Sequence, residues 1–453
     1  MPIVVTFAAL AVVGVVVVVS NRIVPTFAAI PAVVGFAIGR SVVVIAGQNS
    51  DEPRPTGGFM GTLARAEIDS FRLVAFDVRN SSGFENLSAD RVRAPEPLEK
   101  YAGFGAWQMR DANWSPDFPT AAEQLDWFWR RDQDESIDAV VAVNEEGVFA
   151  ILDAIGPITI EDSGEIIDAA NARARILEQL YPIGPDGRPF HDTTAKPRTL
   201  GPIANAIRQR LARPTPSEIV RLARLMPRLI EEKTVQIWFR DIRLQTAAAA
   251  WGVDGALSRG PGDFLAVIDT SVSYTKIGRY LRSSIDYQAS VDVAARAILS
   301  TVTITYENGY DGVEARKYYP PFYLSRIFDF RRDAFVDSEG TWATWLRVFV
   351  PLGAVLHGVS GLDDGSDSTT DADRTVFGGY ARIGPGETRR IRFEYVVENT
   401  SPSGTYVLRV HRQGGIERTF SAVIRRSDDA GQAEILTANL PLTGDARFAA
   451  HLK

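Results

Sequence analysis

From position 49 the chain reads Asn49-Ser50-Asp51-Glu52-Pro53-Arg54-Pro55-Thr56-Gly57-Gly58-Phe59: an amide, two carboxylates, a guanidinium and a glycine pair in close succession. A planar guanidinium takes phosphate oxygens in pairs, and Arg54, set between two prolines, sits on a stiff segment. Gly57-Gly58 lets backbone approach a bulky group closely. Asn49, Arg54, Gly57 and Gly58 are therefore candidates for holding an anion such as phosphate. The same residues also make a tight turn in which Arg54 pairs with Asp51 or Glu52, and both readings stand. A second polar cluster runs Arg110-Asp111-Ala112-Asn113-Trp114-Ser115-Pro116-Asp117. Hard oxygens suit Mg²⁺ and a planar guanidinium suits phosphate, so Arg110, Asp111, Asn113 and Asp117 could hold a divalent cation and a phosphate together. The competing reading is a structured loop with an internal Arg110–Asp111 pair and Asp117 assisting a helix cap. Arg79, close to Asp77 at a strand end, is either an anion contact or half of a surface salt bridge.

These residues need elements to hold them. Residues 41–48 form a strand pattern that delivers the 49–58 turn to a sheet edge, where ligands gather in α/β folds. Residues 63–68 and 71–78 read as a hairpin turned by Asp69-Ser70. A helix opens near 117–120, with Thr120 as its cap and Glu123 completing a capping box. Residues 137–143 read as a buried strand, and 146–155 as a helix ended by Gly156. Residues 165–250 are helical and arginine-rich, and Ile219, Leu222, Leu225, Met226 and Leu229 form a core stripe. A strand at 235–239 and a short helix at 244–251 complete this half. After Gly260-Pro261-Gly262 strands dominate, at 264–268, 283–293, 297–306, 345–350, 387–397 and 406–412, the pattern of one or two β-sandwich modules. The acidic stretch 361–373 reads as a solvated loop; its aspartate spacing resembles a calcium loop only loosely, since no glutamate stands at the twelfth position.

At 453 residues, two or three domains are expected. A formal charge of −7 and the lack of a basic run interleaved with aromatics argue against nucleic acid as a partner. The absence of cysteine excludes disulfides, thiol catalysis and Cys-ligated zinc. Four scattered histidines give no paired metal spacing and make a Ser-His-Asp triad unexpected. Residues 2–19 carry no charge, long enough for a membrane span; residues 23–39 continue uncharged, so either one span with a connector or a hairpin of two fits. The expected location is the cell membrane, with the bulk of the chain on the outer face.

The motif Gln48-Asn49-Ser50-Asp51-Glu52-Pro53-Arg54-Pro55-Thr56-Gly57-Gly58-Phe59, the segment Arg110 to Pro119, the strand Asp138 to Val143 and Trp251-Gly252-Val253-Asp254-Gly255 closely resemble a bacterial family known as domain of unknown function 4012. The resemblance covers about residues 35–425. Its members look like membrane-anchored surface proteins of unestablished activity. More distantly, the order of elements and the run Ile137-Asp138-Ala139-Val140-Val141-Ala142-Val143 to Ile160 are similar to the LytR-CpsA-Psr family. Those enzymes move a glycopolymer from a polyprenyl pyrophosphate to the cell wall, using arginines, an aspartate and Mg²⁺. That resemblance places Asp51 and Arg54 at the family's first Asp and Arg, and Arg79 near its second strand-end Arg. Where the family has Arg-Ser-Asp-Thr, this chain has Arg54-Pro55-Thr56-Gly57, so the key aspartate is missing.

The expectation is an anchor and connector at 1–39, an α/β domain resembling the LytR-CpsA-Psr fold (a mixed sheet with flanking helices) at 40–262, and an all-β sandwich-like region at 263–453. Its expected role is a non-catalytic envelope or surface protein that binds a glycan or lipid-linked polymer. The alternative is a phosphotransferase acting on polyprenyl-pyrophosphate-linked glycopolymer, in which Arg54, Arg79 and Arg110 would clamp phosphates and Asp51, Asp111 or Asp117 would hold the implied Mg²⁺.

Overall fold

A computed structural model describes residues 35–36, 38–86, 91–192, 194–400, 404–428 and 431–452. The first sheet contains β1 (Ser41–Asn49), β2 (Phe59–Asp69), β3 (Arg72–Asn80) and β4 (Ala139–Asn144). After a small hairpin, β5 (Ile158–Thr159) and β6 (Ile166–Ile167), β7 (Val235–Phe239) completes it in the order β3-β2-β1-β4-β7. β1 and β4 are parallel and the other neighbours antiparallel. Successive residues of β1 point to opposite faces, and both faces are covered: Val43 enters one apolar cluster with Leu229, Ile237 and Leu244, Val44 another with Phe118, Leu125 and Trp129. A strand buried on both sides reads as an unbroken apolar run, which is why residues 41–46 are legible as a strand without alternation.

The helices of this half are α1 (Glu96–Ala102), α2 (Phe118–Gln133), α3 (Glu145–Ile155), α4 (Ala172–Leu180), α5 (Ala195–Leu211), α6 (Pro216–Glu231) and α7 (Ile242–Trp251). Asp117, not Thr120, caps α2: its carboxylate accepts from Thr120 N at 3.4 Å and Thr120 Oγ1 at 2.7 Å. The capping box belongs instead to α6, between Thr215 and Glu218. In the α6 stripe Leu229 is buried and Leu225 and Met226 pack beside it, but Ile219 is 47% exposed.

The second half contains β8 (Asp263–Ser271), β9 (Leu281–Asp292), β10 (Ala297–Asn308), then α8 (Gly312–Tyr318), α9 (Phe322–Ser325) and the hairpin β11 (Arg326–Asp329) and β12 (Ala334–Asp337). It continues through β13 (Trp342–Pro351), β14 (Val355–Ser360), β15 (Asp364–Asp371), β16 (Arg374–Ile383) and β17 (Thr388–Glu398). It closes with β18 (Thr405–His411), β19 (Arg418–Asp428), β20 (Gly431–Pro441) and β21 (Ala446–His451). Two six-stranded sheets result, ordered β14-β17-β10-β9-β19-β20 and β15-β16-β13-β8-β18-β21. Between them lies one core of Tyr287, Val302, Tyr306, Leu346, Phe377, Phe393 and Phe420. Alternation along β13 sends Trp342, Leu346 and Val348 into that core. Trp345 goes outward, into a cluster with Tyr101 and Ala102 of α1.

The expected fold class needs correction. The chain is a mixed α/β protein with several sheets, mostly strands, rather than a LytR-CpsA-Psr-type domain followed by an all-β region; α8 and α9 interrupt the second half. No helix among the described residues is long and apolar enough to cross a membrane, so the expected N-terminal transmembrane segment is not supported. The run 2–19 on which that expectation rested lies outside the described residues. Residues 364–371 are not loop but strand β15, hydrogen-bonded to β16 at the sheet edge. Polar side chains suit an exposed edge strand, and they mask it in a hydrophobic-pattern reading.

Candidate functional site

The parallel pairing sets Gly47 opposite Val143 and Gln48 opposite Asn144, so both strands end at one edge of the sheet. The turn after β1 therefore lies beside Asn144-Glu145-Glu146, where α3 begins. Asn144 caps that helix, accepting from Gly147 N at 3.1 Å, and Ser50 Oγ donates to Glu146 Oε2 at 2.8 Å. Asp51, 3% exposed, is the focus. Arg173 of α4 donates to its Oδ2 at 3.4 Å and reaches Glu145 at 2.8 Å. From the sandwich half, Arg279 reaches Asp51 Oδ1 at 3.2 Å and the Tyr319 hydroxyl donates to Oδ2 at 2.5 Å. Burial, then the Asp51 carboxylate, pushes the Glu145 carboxyl up to about 7 against the pull of Arg173.

The rest of the turn is closed off. Arg54, 2% exposed, donates from Nη1 to Ser271 O at 2.6 Å, and from Nη2 to Glu52 at 3.2 Å and Asp111 at 3.3 Å. Lys276 holds the other Glu52 oxygen at 2.9 Å. Burial alone would raise both carboxyls; for Glu52 the charges of Lys276 and Arg54 outweigh it and hold the group below the usual range, whereas burial wins at Asp111. The glycine pair serves the turn itself. A Cβ on Gly58 (φ 155°) would lie 2.4 Å from Asn49 O, and one on Gly57 (φ 135°) 2.6 Å from Gln48 Oε1. Asn49 Oδ1 accepts from Asp51 N at 2.9 Å. The sandwich also clamps the backbone: Ser271 N donates to Pro53 O, Gly278 N to Asp51 O and Gln413 Nε2 to Arg54 O.

The structure thus brings Asn49, Asp51, Arg54, Gly57, Gly58, Arg110 and Asp111 into one neighbourhood, with Arg110 Nε 3.6 Å from Asp111. It leaves Arg79 apart on β3, paired with Asp77 at 2.6 Å with both side chains nearly half exposed. The three candidate metal carboxylates face different partners: Asp51 two arginines and a tyrosine, Asp111 Arg54 and Arg110, Asp117 its helix cap and Leu257 N at 2.9 Å. No group of three or more His, Cys, Asp or Glu side chains that could hold a metal occurs among the described residues. The residues present do not fit the Mg²⁺ site that the distant resemblance implied.

Beside Asp51 opens a cleft of about 850 Å³ between the two halves of the molecule. Six arginines line it (Arg173, Arg228, Arg279, Arg282, Arg412, Arg418) against five carboxylates. Arg418 is committed to Asp269 and Arg228 to Glu232. Arg282 makes no ion pair among the described residues. The sequence did not single out Arg173, Glu145, Arg279, Arg282 or Tyr319. Glu145 was reachable, since it directly follows a strand ending at the same sheet edge; the others sit on segments that only tertiary packing delivers.

Residues 39–181 match the family described as protein of unknown function (DUF4012), which bears out the family resemblance carried by the motifs in that span. The LytR-CpsA-Psr resemblance is not confirmed. No curated protein matches. Among solved structures the chain is similar to a putative nutrient binding protein (lpg2210) from Legionella pneumophila, at 8% identity, covering 42% of this chain and 71% of that one with a TM-score of 0.26. It is also similar to the transcriptional regulator yvhJ from Bacillus subtilis, at 13% identity, 50% and 84% coverage and a TM-score of 0.28. An M1 zinc metallopeptidase from Deinococcus radiodurans matches at 13% identity and a TM-score of 0.22, over 38% of this chain and 42% of that one. Likenesses this partial carry no argument about fold or function.

Proposed function

We propose that this chain is a non-catalytic bacterial surface or envelope protein that binds a phosphate-bearing ligand, such as the head of a lipid-linked glycan, in the cleft between its two halves. The observation that carries the reading is the arginine-lined cleft beside Asp51, in which Arg282 makes no ion pair among the described residues. Guanidinium groups in a concave, partly desolvated site are suited to bidentate phosphate contacts. Arg54, the most obvious phosphate ligand in the sequence, is 2% exposed and does not line the cleft, so the ligand's contacts fall to Arg279, Arg282 and Arg173, which do. The metal-dependent transferase reading loses support because the candidate carboxylates do not gather.

The test is calorimetric titration of the chain with inorganic pyrophosphate and with a short-chain polyprenyl pyrophosphate, each with and without Mg²⁺. Saturable, metal-independent binding that weakens about tenfold in Arg282→Ala, with the urea midpoint unchanged, is the expected result; tenfold corresponds to about 1.4 kcal/mol. Binding that requires Mg²⁺ would revive the transferase, and no binding of either compound would end the anion reading.

A further inference from the structure

A second cavity, of about 420 Å³, opens where α1, the turn before α2 and the outward face of β13 meet. Three tryptophans reach it from separate segments: Trp107, Trp114 and Trp345. Each indole is fixed. Trp107 packs edge-on against Phe128 at 5.6 Å and donates to Asp111 O at 3.0 Å. Trp345 stacks on Tyr101 at 5.2 Å, and the Arg347 guanidinium lies 4.3 Å over Trp114. Trp345 can lie across β16 because residue 378 is glycine; a Cβ there would stand 2.6 Å from the indole. Around the rings stand an amide (Gln124), hydroxyls (Thr120, Thr370) and a carboxylate (Asp371).

Arg347 is 4% exposed and forms part of the wall, held by Trp114 O and by Asp371 at 3.5 Å. With Glu96 as a second carboxylate the lining carries a net negative charge, which disfavours phosphates and carboxylates.

We infer that this cavity is a binding site for a neutral saccharide unit of about hexose size. A sugar ring presents C–H groups on its faces and hydroxyls around its edge, the complement of indoles bordered by amide, hydroxyl and carboxylate groups. Its hydroxyls can exchange hydrogen bonds with Gln124, Thr120, Thr370 and Asp371. The volume lies in the range of small-ligand sites. The inference does not depend on the arginine cleft: the two cavities have opposite charge preferences and share no lining residue.

The experiment titrates the full chain with glucose, galactose, mannose and N-acetylglucosamine, and with their 6-phosphates, by tryptophan fluorescence and calorimetry. At least one neutral sugar should bind with a Kd of about 1 mM or tighter, and its 6-phosphate several-fold more weakly. Thr370 is exposed on β15, so Thr370→Trp fills the cavity from its rim without entering the core. That variant should weaken sugar binding at least about tenfold while leaving pyrophosphate binding at the cleft unchanged. Gln124→Ala, which removes a half-buried amide from the lining, provides a second variant should the first misfold. Absence of binding by all four sugars at about 20 mM overturns the inference. So does sugar binding that survives both variants, or a preference for the 6-phosphates.

Discussion

Replacing Arg54 separates its two roles. In the fold, Arg54 bridges Glu52 and Asp111, whose side chains are 9% and 1% exposed. Arg54→Met keeps most of the side-chain volume and removes the charge. Glu52 would keep Lys276 at 2.9 Å. Asp111 would keep only Arg110, at 3.6 Å, so nearly the whole penalty falls on one buried carboxylate. Breaking a buried ion pair typically costs about 3–5 kcal/mol; the surviving partners set the expectation near the lower end, about 3 kcal/mol. With a urea dependence of about 2–3 kcal/mol/M, the midpoint should fall by about 1 M. Adding Asp111→Asn to Arg54→Met removes the stranded charge and should recover at least about 1 kcal/mol, a coupling characteristic of contacting residues. The readout is urea denaturation followed by tryptophan fluorescence, beside pyrophosphate titration under native conditions. A midpoint within about 0.3 M of the unsubstituted chain, together with a tenfold loss of pyrophosphate affinity, would refute the structural assignment and return Arg54 to the ligand site.

Glu145 provides a pH signature. Its carboxyl is pushed up to about 7 from an ordinary value of 4.5, so between those pH values the folded protein holds a proton that the unfolded chain has released. Stability contributed by this group therefore falls as pH rises from about 4.5 to 7. Glu145→Gln should flatten that slope, checked by urea midpoints at pH 5 and pH 8, and an unaltered slope contradicts the assignment. Asp445→Asn strands Lys233, which is 8% exposed and bonded to Asp445 at 2.8 Å. Because Asp445 is itself 37% exposed, the expected loss is only about 1–2 kcal/mol, read from the denaturation midpoint. Arg79→Ala should cost less than about 1 kcal/mol and leave pyrophosphate binding unchanged; a tenfold loss of affinity would place Arg79 in the ligand site after all.

Local patterns were legible where local chemistry decides them. β1 and β4 announce themselves as apolar runs because both faces of their sheet are covered. Gly156, with φ 78°, ends α3 as its position suggests. Misreadings arose where two local solutions compete. Asp117 and Thr120 are both good caps, and the helix starts at Phe118 because Asp117 also accepts from Leu257 N, a contact 140 residues away that no window of sequence contains. The polar strand β15 failed for the converse reason: an edge strand needs no apolar face to pair with β16.

The density of chemistry in residues 49–58 was legible; its use was not. A motif with Asp, Glu, Arg and two glycines reads equally well as a ligand loop and as an interdomain clamp, because both tasks require buried charge and close backbone approach. What distinguishes them is whether partners arrive from the protein or from solution. Here Ser271, Lys276, Arg279, Tyr319 and Gln413 all come from the second half of the chain, more than 200 residues downstream. Those contacts hold Arg54 in place and close the glycine turn, yet they also carry Arg279 to Asp51 and place Arg282 on the rim of the cleft. The anion-binding capacity suggested by the turn therefore passes to arginines that the clamp itself brings into position. An Arg279→Ala substitution should accordingly weaken both the contact between the halves and pyrophosphate binding, whereas Arg282→Ala should affect binding alone.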